Sequence, residues 1–105
     1  MKLVIQIPAW DEEDQIAAAV RELPRDVPGF TRVEVLVVDD GSTDATSRVA
    51  KEAGADHVLR LGIHRGLAVA WRAGLDHALA LGADVVVSTD ADRQYAAGGG
   101  ATLVA

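Results

Sequence analysis

The chain has 105 residues, with 16 acidic against 10 basic side chains and a formal net charge of −6. This length suits one domain, and the hydrophobic fraction of 50% argues against disorder. The acidic balance argues against a nucleic-acid partner. The absence of cysteine excludes disulfides and thiolate chemistry, and no apolar run approaches the roughly 18–20 residues of a membrane helix. We therefore expect a soluble, cytoplasmic domain.

Four short runs rich in valine, isoleucine and leucine predict β-strands. The runs are residues 3–7, 33–38, 57–61 and 84–88. Because they are nearly continuous rather than alternating, they are typical of strands buried on both faces, as in a parallel sheet. We expect Pro8 to end the first strand and a glycine or an aspartate to end each of the others.

Three helical segments are predicted between the strands. The first is capped by Asp11 and stopped by Pro24, the second is capped by Ser42 or Thr43 and followed by Gly54, and the third runs from about Gly66 to Leu81. Apolar side chains, Leu67 and Leu79 among them, are expected on the inward face of the third helix. The order β-α-β-α-β-α-β predicts an α/β fold with a mostly parallel sheet and helices on both faces.

Acidic residues concentrate in the loops that follow the predicted strands. Nine of the 16 lie there: Asp11, Glu12, Glu13, Asp14, Asp39, Asp40, Asp44, Asp90 and Asp92. In a parallel sheet these loops share the edge at which open α/β sheets bind ligands. Carboxylates crowded at one edge repel one another unless they are solvated, cap a helix or are neutralised by a cation.

The segment Asp90-Ala91-Asp92 is the sharpest candidate for a metal site. Residues i and i+2 of an extended segment point the same way, so both carboxylates would face one point. Hard oxygen ligands select Mg²⁺ or Mn²⁺, which one or two carboxylates hold together with substrate phosphates. The alternative is a solvated acidic turn, and the motif taken alone favours the turn.

Other polar residues in these loops allow two interpretations each. The Asp39–Asp44 segment is either a strand-end turn with a helix cap or a place where a carboxylate accepts a hydrogen bond from a base or a ribose. Trp10 is either a partly buried aromatic or a stacking surface for a planar base. Arg72 either lies on a solvated helix face, or reaches a diphosphate or braces the Asp39–Asp40 pair. His64 lies in a strand-end loop, and one histidine is weak evidence for a site.

Four of these segments, in chain order, resemble the motifs of the N-terminal half of a family 2 glycosyltransferase with the GT-A fold. They are Pro8–Glu13, Val38–Asp44, His64–Gly74 and Asp90–Gln94, and with their strands they cover about residues 2–95. The second matches Val-Asp-Asp-Gly-Ser-x-Asp in full, and the fourth matches Asp-Ala-Asp-x-Gln. That last form resembles the polyprenyl-phosphate (dolichol-phosphate) mannosyl- and glucosyltransferases. The set of four is far more specific than any member.

The resemblance implies an inverting, metal-dependent transfer of a sugar from a UDP- or GDP-sugar to an acceptor. It implies a nucleotide-sugar site that contains Pro8, Trp10, Glu12, Val38, Asp39, Asp40, Arg72, Asp90 and Ala91. It implies a site for Mg²⁺ or Mn²⁺ at Asp90, Asp92 and Gln94. The metal would neutralise the charge that grows on the leaving nucleoside diphosphate.

The sequence also departs from the pattern of that family. Trp10 replaces the usual tyrosine and His64 the usual asparagine. Members of the family carry a second half with the acceptor site and the general base, and we expect that base beyond Ala105. On this interpretation residues 1–95 form the nucleotide-sugar and metal-binding domain, and residues 96–105 form a glycine-rich tail leading into a truncated helix. The chain alone is then expected to be inactive, with polyprenyl phosphate as a candidate acceptor and the inner membrane face as a candidate location.

Two other classes of function stay open at the level of sequence. A receiver-type signalling domain would have a similar size and a Val-Val-Asp-Asp run, but its acidic pair would follow the first strand. A non-catalytic module is the other alternative, and it would associate with a second copy through an exposed sheet edge.

Overall fold

The structure is a computed structural model, and it describes residues 1–90 and 102–104. Its elements, in chain order, are β1 (Lys2–Ala9), α1 (Ile16–Arg21), β2 (Arg32–Asp39), α2 (Thr46–Glu52), β3 (His57–Arg60), α3 (Leu67–Ala80), β4 (Val85–Ser88) and β5 (Thr102–Val104). No helix in these described ranges has the length and apolar character needed to cross a membrane.

One five-stranded sheet has the strand order β3-β2-β1-β4-β5. The first four strands are parallel, with Ile5 of β1 opposite Val35 of β2 and Val87 of β4. This confirms the predicted α/β architecture. β5 pairs antiparallel with β4 at the end of the chain, where the sequence analysis expects the start of a helix. A strand there agrees with the β-branched threonine and valine of residues 102–104, while the division of the chain at residue 95 stays a prediction.

Helices cover both faces of the sheet, as predicted. On one face Ile7 and Val37 pack with Ile16 of α1 and Ala50 of α2. On the other face Val4, Leu36, Val38 and Val86 pack with Ala70 and Ala78 of α3. Because both faces are covered, neighbouring residues of the central strands are buried alternately under different helices, which explains the continuous apolar runs.

Pro8 lies inside β1, so the expectation that it ends the strand is wrong. The N–H of Thr89 donates to the carbonyl of Gln6, and the N–H of Asp40 donates to the carbonyl of Ala9. Backbone groups alternate between the two neighbouring strands, so Pro8 faces β4, whose pairing with β1 ends at Ser88. The missing N–H of proline therefore costs β1 none of its pairing with β2.

The predicted caps of the first two helices are also wrong. α1 begins at Ile16 rather than next to Asp11, and α2 begins at Thr46 after Ala45. Asp11 has a φ of 50°, a left-handed conformation that aspartate tolerates better than most residues. The polar side chains expected to cap these helices instead join two loops to each other, as described below.

The buried face of α3 consists of Ala70, Gly74 and Ala78. Leu67 and Leu79, predicted to face inward, are 67% and 49% exposed. Small residues four positions apart let the helix lie close to the sheet. A Cβ on Gly74 would stand 1.7 Å from Oε1 of Gln6, which is fully buried below it. This close approach, and not the largest side chains, sets the orientation of the helix.

At the edge where the parallel strands begin, hereafter the amino edge, one buried carboxylate is surrounded by basic groups. Glu34 accepts from Lys2 Nζ at 3.1 Å, His57 Nε2 at 2.8 Å and Arg32 Nη2 at 2.7 Å. The hydrogen bond from His57, with those from Lys2 and the charges of Lys2 and Arg32, outweighs the effect of burial and lowers the pKa of Glu34. This cluster ties β1, β2 and β3 together.

Candidate functional site

A cavity of about 270 Å³ opens at the carboxyl edge, where β1, β2 and β4 end. Its lining residues come from β1, from α3 and from the loops that follow β1, β2, β3 and β4: Pro8, Ala9, Trp10, Glu12, Asp40, His64, Leu67, Ala70 and Asp90. The position agrees with the rule that open α/β sheets bind ligands outside the carboxyl ends of their strands. A pocket with aromatic, apolar and acidic walls is suited to a flat polar ring attached to a charged group.

The structure brings five of the nine predicted nucleotide-sugar residues to this cavity. They are Pro8, Trp10, Glu12, Asp40 and Asp90. Val38 and Asp39 are fully buried and do not line the cavity. Ala91 lies outside the described residues.

Asp40 holds the loop that leads into α3. Asp40 is buried, with 3% of the residue exposed. Its carboxylate accepts the N–H of Arg65 and the N–H of Gly66, each at 2.8 Å. Nδ1 of His64 lies 2.8 Å from Oδ2 of the same carboxylate and 3.2 Å from the backbone carbonyl oxygen of Asp40. Asp40 therefore both lines the cavity and fixes the backbone where the helix starts.

Asp39 points to the opposite face of the sheet, toward α2. Its carboxylate accepts the N–H of Ser42 at 2.9 Å and the hydroxyl of Ser47. Arg60 of β3 lies 3.5 Å away, and it also donates to the carbonyl of Ser42 at 3.0 Å. The side chain that braces this aspartate is thus Arg60, which sequence reasoning did not identify.

Arg72, the residue proposed for that brace, lies elsewhere. It projects from the exposed face of α3 and contacts Asp76 one turn along the helix, at 3.3 Å. The cavity lining does not include it. The structure therefore favours the solvated helix face for Arg72.

Trp10 and His64 form an aromatic wall of the cavity. Their ring centroids are 4.0 Å apart and the ring planes differ by 19°, which is a stacked arrangement. Trp10 is 47% exposed. Its indole therefore keeps accessible surface while one face is covered by the imidazole.

The loop after β1 and the loop after β2 are joined by reciprocal hydrogen bonds, which we call the loop clasp. The bonds are Asp11 N to Ser42 Oγ, Glu12 N to Thr46 Oγ1, Glu13 N to Asp44 Oδ2, Thr43 N to Asp11 Oδ1 and Ala45 N to Glu13 Oε1, at 2.8–3.2 Å. The carboxylates of Asp11, Glu13 and Asp44 therefore accept hydrogen bonds from backbone N–H groups. The sequence left solvation, helix capping and a cation open for such crowded carboxylates, and these three instead bond to backbone N–H groups of the opposite loop.

Asp44 illustrates how the clasp stabilises a charged side chain without a cation. Partial burial raises the pKa of Asp44, but the hydrogen bonds from the hydroxyl and N–H of Thr46 and the N–H of Glu13 outweigh that effect. The pKa of Asp44 is consequently lowered, and its carboxylate stays ionised.

Gly41 allows the loops after β2 and β3 to touch. Its φ is 73°, and a Cβ there would lie 2.3 Å from the backbone nitrogen of His64 and 2.4 Å from the carbonyl carbon of Ile63. Only glycine fits such a backbone contact. The glycine of the predicted motif is thus required for the position of His64.

Asp90 is the part of the predicted metal site that the structure describes. It is exposed at the end of β4 and lines the cavity. Asp92 and Gln94 lie outside the described residues, and within those residues no three acidic or imidazole groups form a metal-binding cluster. One open carboxylate fits the donor chemistry of a divalent cation that takes further ligands from substrate phosphates.

Four lining residues were not among the predicted site residues: Ala9, His64, Leu67 and Ala70. His64 had a signal, because it lies in a polar loop that follows a strand. The helical spacing of Leu67 predicts a core position, but the residue is 67% exposed at the first turn of α3 and lines the cavity.

Comparison with known proteins gives consistent results. The sequence model of "Glycosyl transferase family 2" matches residues 4–99. A polyprenol monophosphomannose synthase from Mycolicibacterium smegmatis is 36% identical over 100 residues, which cover 90% of this chain and 37% of the relative. The chain spans about 37% of the length of the curated relatives that it matches over most of its own length.

Solved structures of glycosyltransferases share the fold. A mannosyltransferase from Pyrobaculum calidifontis, in complex with GDP-Man and Mn²⁺, has a TM-score of 0.66 and 29% identity, over 86% of this chain and 27% of that one. Glucosyl-3-phosphoglycerate synthase from Mycobacterium tuberculosis, with Mn²⁺, UDP and glucosyl-3-phosphoglycerate, has a TM-score of 0.66 and 28% identity, over 86% and 33%. With strand-end motifs, GT-A architecture and family match in agreement, the chain belongs to glycosyl transferase family 2.

Proposed function

We propose that the cavity at the carboxyl edge binds the nucleoside diphosphate of a sugar donor. The observation that carries the proposal is the convergence of an aromatic face at Trp10, a buried carboxylate at Asp40 and an open carboxylate at Asp90 on one cavity. An aromatic face stacks a base, a buried carboxylate accepts its N–H, and an open carboxylate holds a metal near the phosphates.

A divalent metal, Mg²⁺ or Mn²⁺, is part of this proposal. Asp90 would hold it, together with Asp92 and Gln94 from the predicted motif and with oxygens of the donor diphosphate. The metal would stabilise the negative charge that develops on the leaving group. Support comes from the Mn²⁺ in the complexes of the two similar enzymes, one with GDP-Man and the other with UDP.

The second partner of the reaction is a sugar acceptor. A hydroxyl acceptor would need a general base, which we expect beyond Ala105, whereas a phosphate acceptor brings an oxygen that is already ionised. The transfer would proceed with inversion, because the acceptor oxygen attacks opposite the leaving diphosphate. The similarity to a polyprenol monophosphomannose synthase supports a polyprenyl phosphate acceptor and a hexose as the transferred sugar. That acceptor would place the protein in the cytoplasm at the inner membrane face. We expect the 105-residue chain to bind the donor and turn over nothing alone.

Calorimetry with UDP and GDP, with and without Mn²⁺, tests the proposal. We expect binding that depends on the metal, and we expect Asp90→Asn to weaken it at least about tenfold, since a carboxylate ligand is lost. Asp26→Asn, an exposed aspartate in the loop before β2, is the matched control and should stay within about twofold. Metal-independent binding, or no binding of either nucleotide, would contradict the proposal.

Self-association through a sheet edge remains a second, separate expectation. β3 forms one edge of the described sheet, while β5 covers β4 on the other side. Sedimentation at several protein concentrations tests it, and a constant monomer mass would exclude it.

A further inference from the structure

His64 makes two contacts at once in the cavity. Its ring stacks on Trp10 at 4.0 Å between centroids, and its Nδ1 lies 2.8 Å from Oδ2 and 3.2 Å from the backbone carbonyl oxygen of Asp40. A nucleobase offers the same two features, a flat ring for an aromatic face and an N–H for a carboxylate. We propose that the imidazole of His64 occupies the place of the nucleobase in the free protein, so that donor binding must displace it. The inference rests on the proposed function.

The spacing of the two rings decides between displacement and insertion. A base between Trp10 and His64 would need about 3.5 Å to each ring, or about 7 Å in total. The observed 4.0 Å leaves no room for a third ring. A base that uses this face of the indole therefore takes the position of the imidazole.

The imidazole can leave without unfolding its loop. The backbone on either side is held by the hydrogen bonds of Asp40 to Arg65 and Gly66 and by the contact with Gly41. Within residues 63–66 these anchors involve backbone atoms only, and the side chain of His64 is 46% exposed. Rotation about its side-chain bonds would carry the ring into solvent while the loop stays in place.

Displacement of the imidazole also frees the oxygen of Asp40 that would accept a hydrogen bond from a base. Oδ2 of Asp40 accepts the N–H of Gly66 and faces Nδ1 of His64, while Oδ1 accepts the N–H of Arg65. When the imidazole leaves, one lone pair of Oδ2 becomes available and both backbone bonds remain. A single side-chain movement thus exposes both the stacking face and the hydrogen-bond acceptor.

The consequence for binding is a lower apparent affinity. If only part of the population has the imidazole displaced, the measured dissociation constant rises in inverse proportion to that part. Removing the ring abolishes this competition. From the strength of one aromatic stack and one part-buried hydrogen bond, we expect roughly 3- to 30-fold tighter binding of the nucleotide.

The test measures the affinity of the full chain for UDP and GDP with Mn²⁺ by calorimetry, for the original chain and for His64→Ala and His64→Ser. Both variants should bind the preferred nucleotide more tightly. Inorganic pyrophosphate with Mn²⁺ has no base, so its affinity should change less than about twofold. Circular dichroism checks that each variant is folded. If His64→Ala does not fold, the affinity of His64→Ser decides the test.

Proton NMR supplies a readout that does not depend on affinity. The ring signals of His64, identified by their absence from the spectrum of His64→Ala, should carry an upfield shift from Trp10 and lose it when nucleotide is added. Three results would overturn the inference and leave the proposed function standing. They are nucleotide binding by the variants that is equal or weaker, an equal gain in affinity for pyrophosphate, and His64 signals that do not change when nucleotide binds. Absence of nucleotide binding by the original chain and the variants alike would overturn both.

Discussion

The two edges of the sheet compensate negative charge in different ways. At the amino edge the carboxylate of Glu34 is surrounded by Lys2, Arg32 and His57. At the carboxyl edge the carboxylate of Asp40 accepts two backbone N–H groups and faces one imidazole. In the loop clasp, the carboxylates of Asp11, Glu13 and Asp44 likewise accept hydrogen bonds from backbone N–H groups and a hydroxyl.

This difference assigns the charge cluster at the amino edge to the stability of the fold and the carboxylates at the carboxyl edge to the proposed binding of a metal and a ligand. Lys2 and Arg32 neutralise the carboxylate of Glu34, so this group needs no cation from a ligand. Hydrogen bonds hold the carboxylates of the other edge in place but leave their charge, which favours a metal ion next to them. Several carboxylates of the acidic loops therefore organise those loops, whereas Asp90 is an exposed carboxylate in the cavity lining.

The largest expected effect comes from the backbone contact at the carboxyl edge. Gly41→Ala should lower the free energy of unfolding by about 3 kcal/mol, because its Cβ would collide with the backbone of residues 63 and 64. Gly29→Ala is the matched control, since Gly29 has a φ of 91° and open space around it, and it should lose about 1 kcal/mol from strain alone. Urea denaturation measures both, and equal losses would show that the loop contact does not matter.

Acid-to-amide changes at the two edges test the comparison directly. In Asp40→Asn the new NH₂ group must face a backbone N–H whichever way the amide turns, since each oxygen of Asp40 accepts one. We expect a loss of about 2 kcal/mol. In Glu34→Gln the amide can keep its oxygen toward Lys2 and His57, which share Oε1, and turn its NH₂ toward Arg32, whose largely exposed side chain can move away, so the loss should be about 1 kcal/mol. A reversed order in urea denaturation would refute the distinction between the edges.

The smallest effect is the dependence of stability on pH at the amino edge. Because the pKa of Glu34 in the folded state lies below its ordinary value of 4.5, its contribution is present above that value and is lost as the pH falls through the lowered folded pKa. The difference in unfolding free energy between the original chain and Glu34→Gln should therefore shrink between about pH 6 and pH 3. A difference that grows toward acid would contradict the lowered pKa. Asp44, whose pKa is also lowered, should follow the same sign.

Much of the fold could be predicted from the sequence, because it follows from local patterns. Continuous apolar runs indicated parallel strands covered on both sides, and the alternation of strands and helices predicted a mostly parallel sheet with helices on both faces. The inward face of α3 could not be predicted by side-chain size, because the contact of Gly74 with Gln6 depends on how close the helix lies to the sheet.

The candidate site was predictable as a location but not as a set of contacts. Placement of loops at one edge follows from parallel strands, and it correctly brought Trp10, Asp40 and Asp90 to one cavity. The contacts between loops, such as Asp11 with Ser42 or Trp10 with His64, join residues more than 30 positions apart. No spacing rule within one segment reveals such pairs.

Pro8 gives the cavity its boundary. The ladder between β1 and β4 would continue with an N–H at this position, and proline has none. Strand pairing therefore stops where Pro8, Ala9 and Asp90 begin to line the cavity. A residue with an N–H would let the two strands pair further along the same gap. The space next to Pro8 can hold either a longer pairing of β1 with β4 or an open cavity. Because proline has no N–H, the pairing ends there and the cavity stays open.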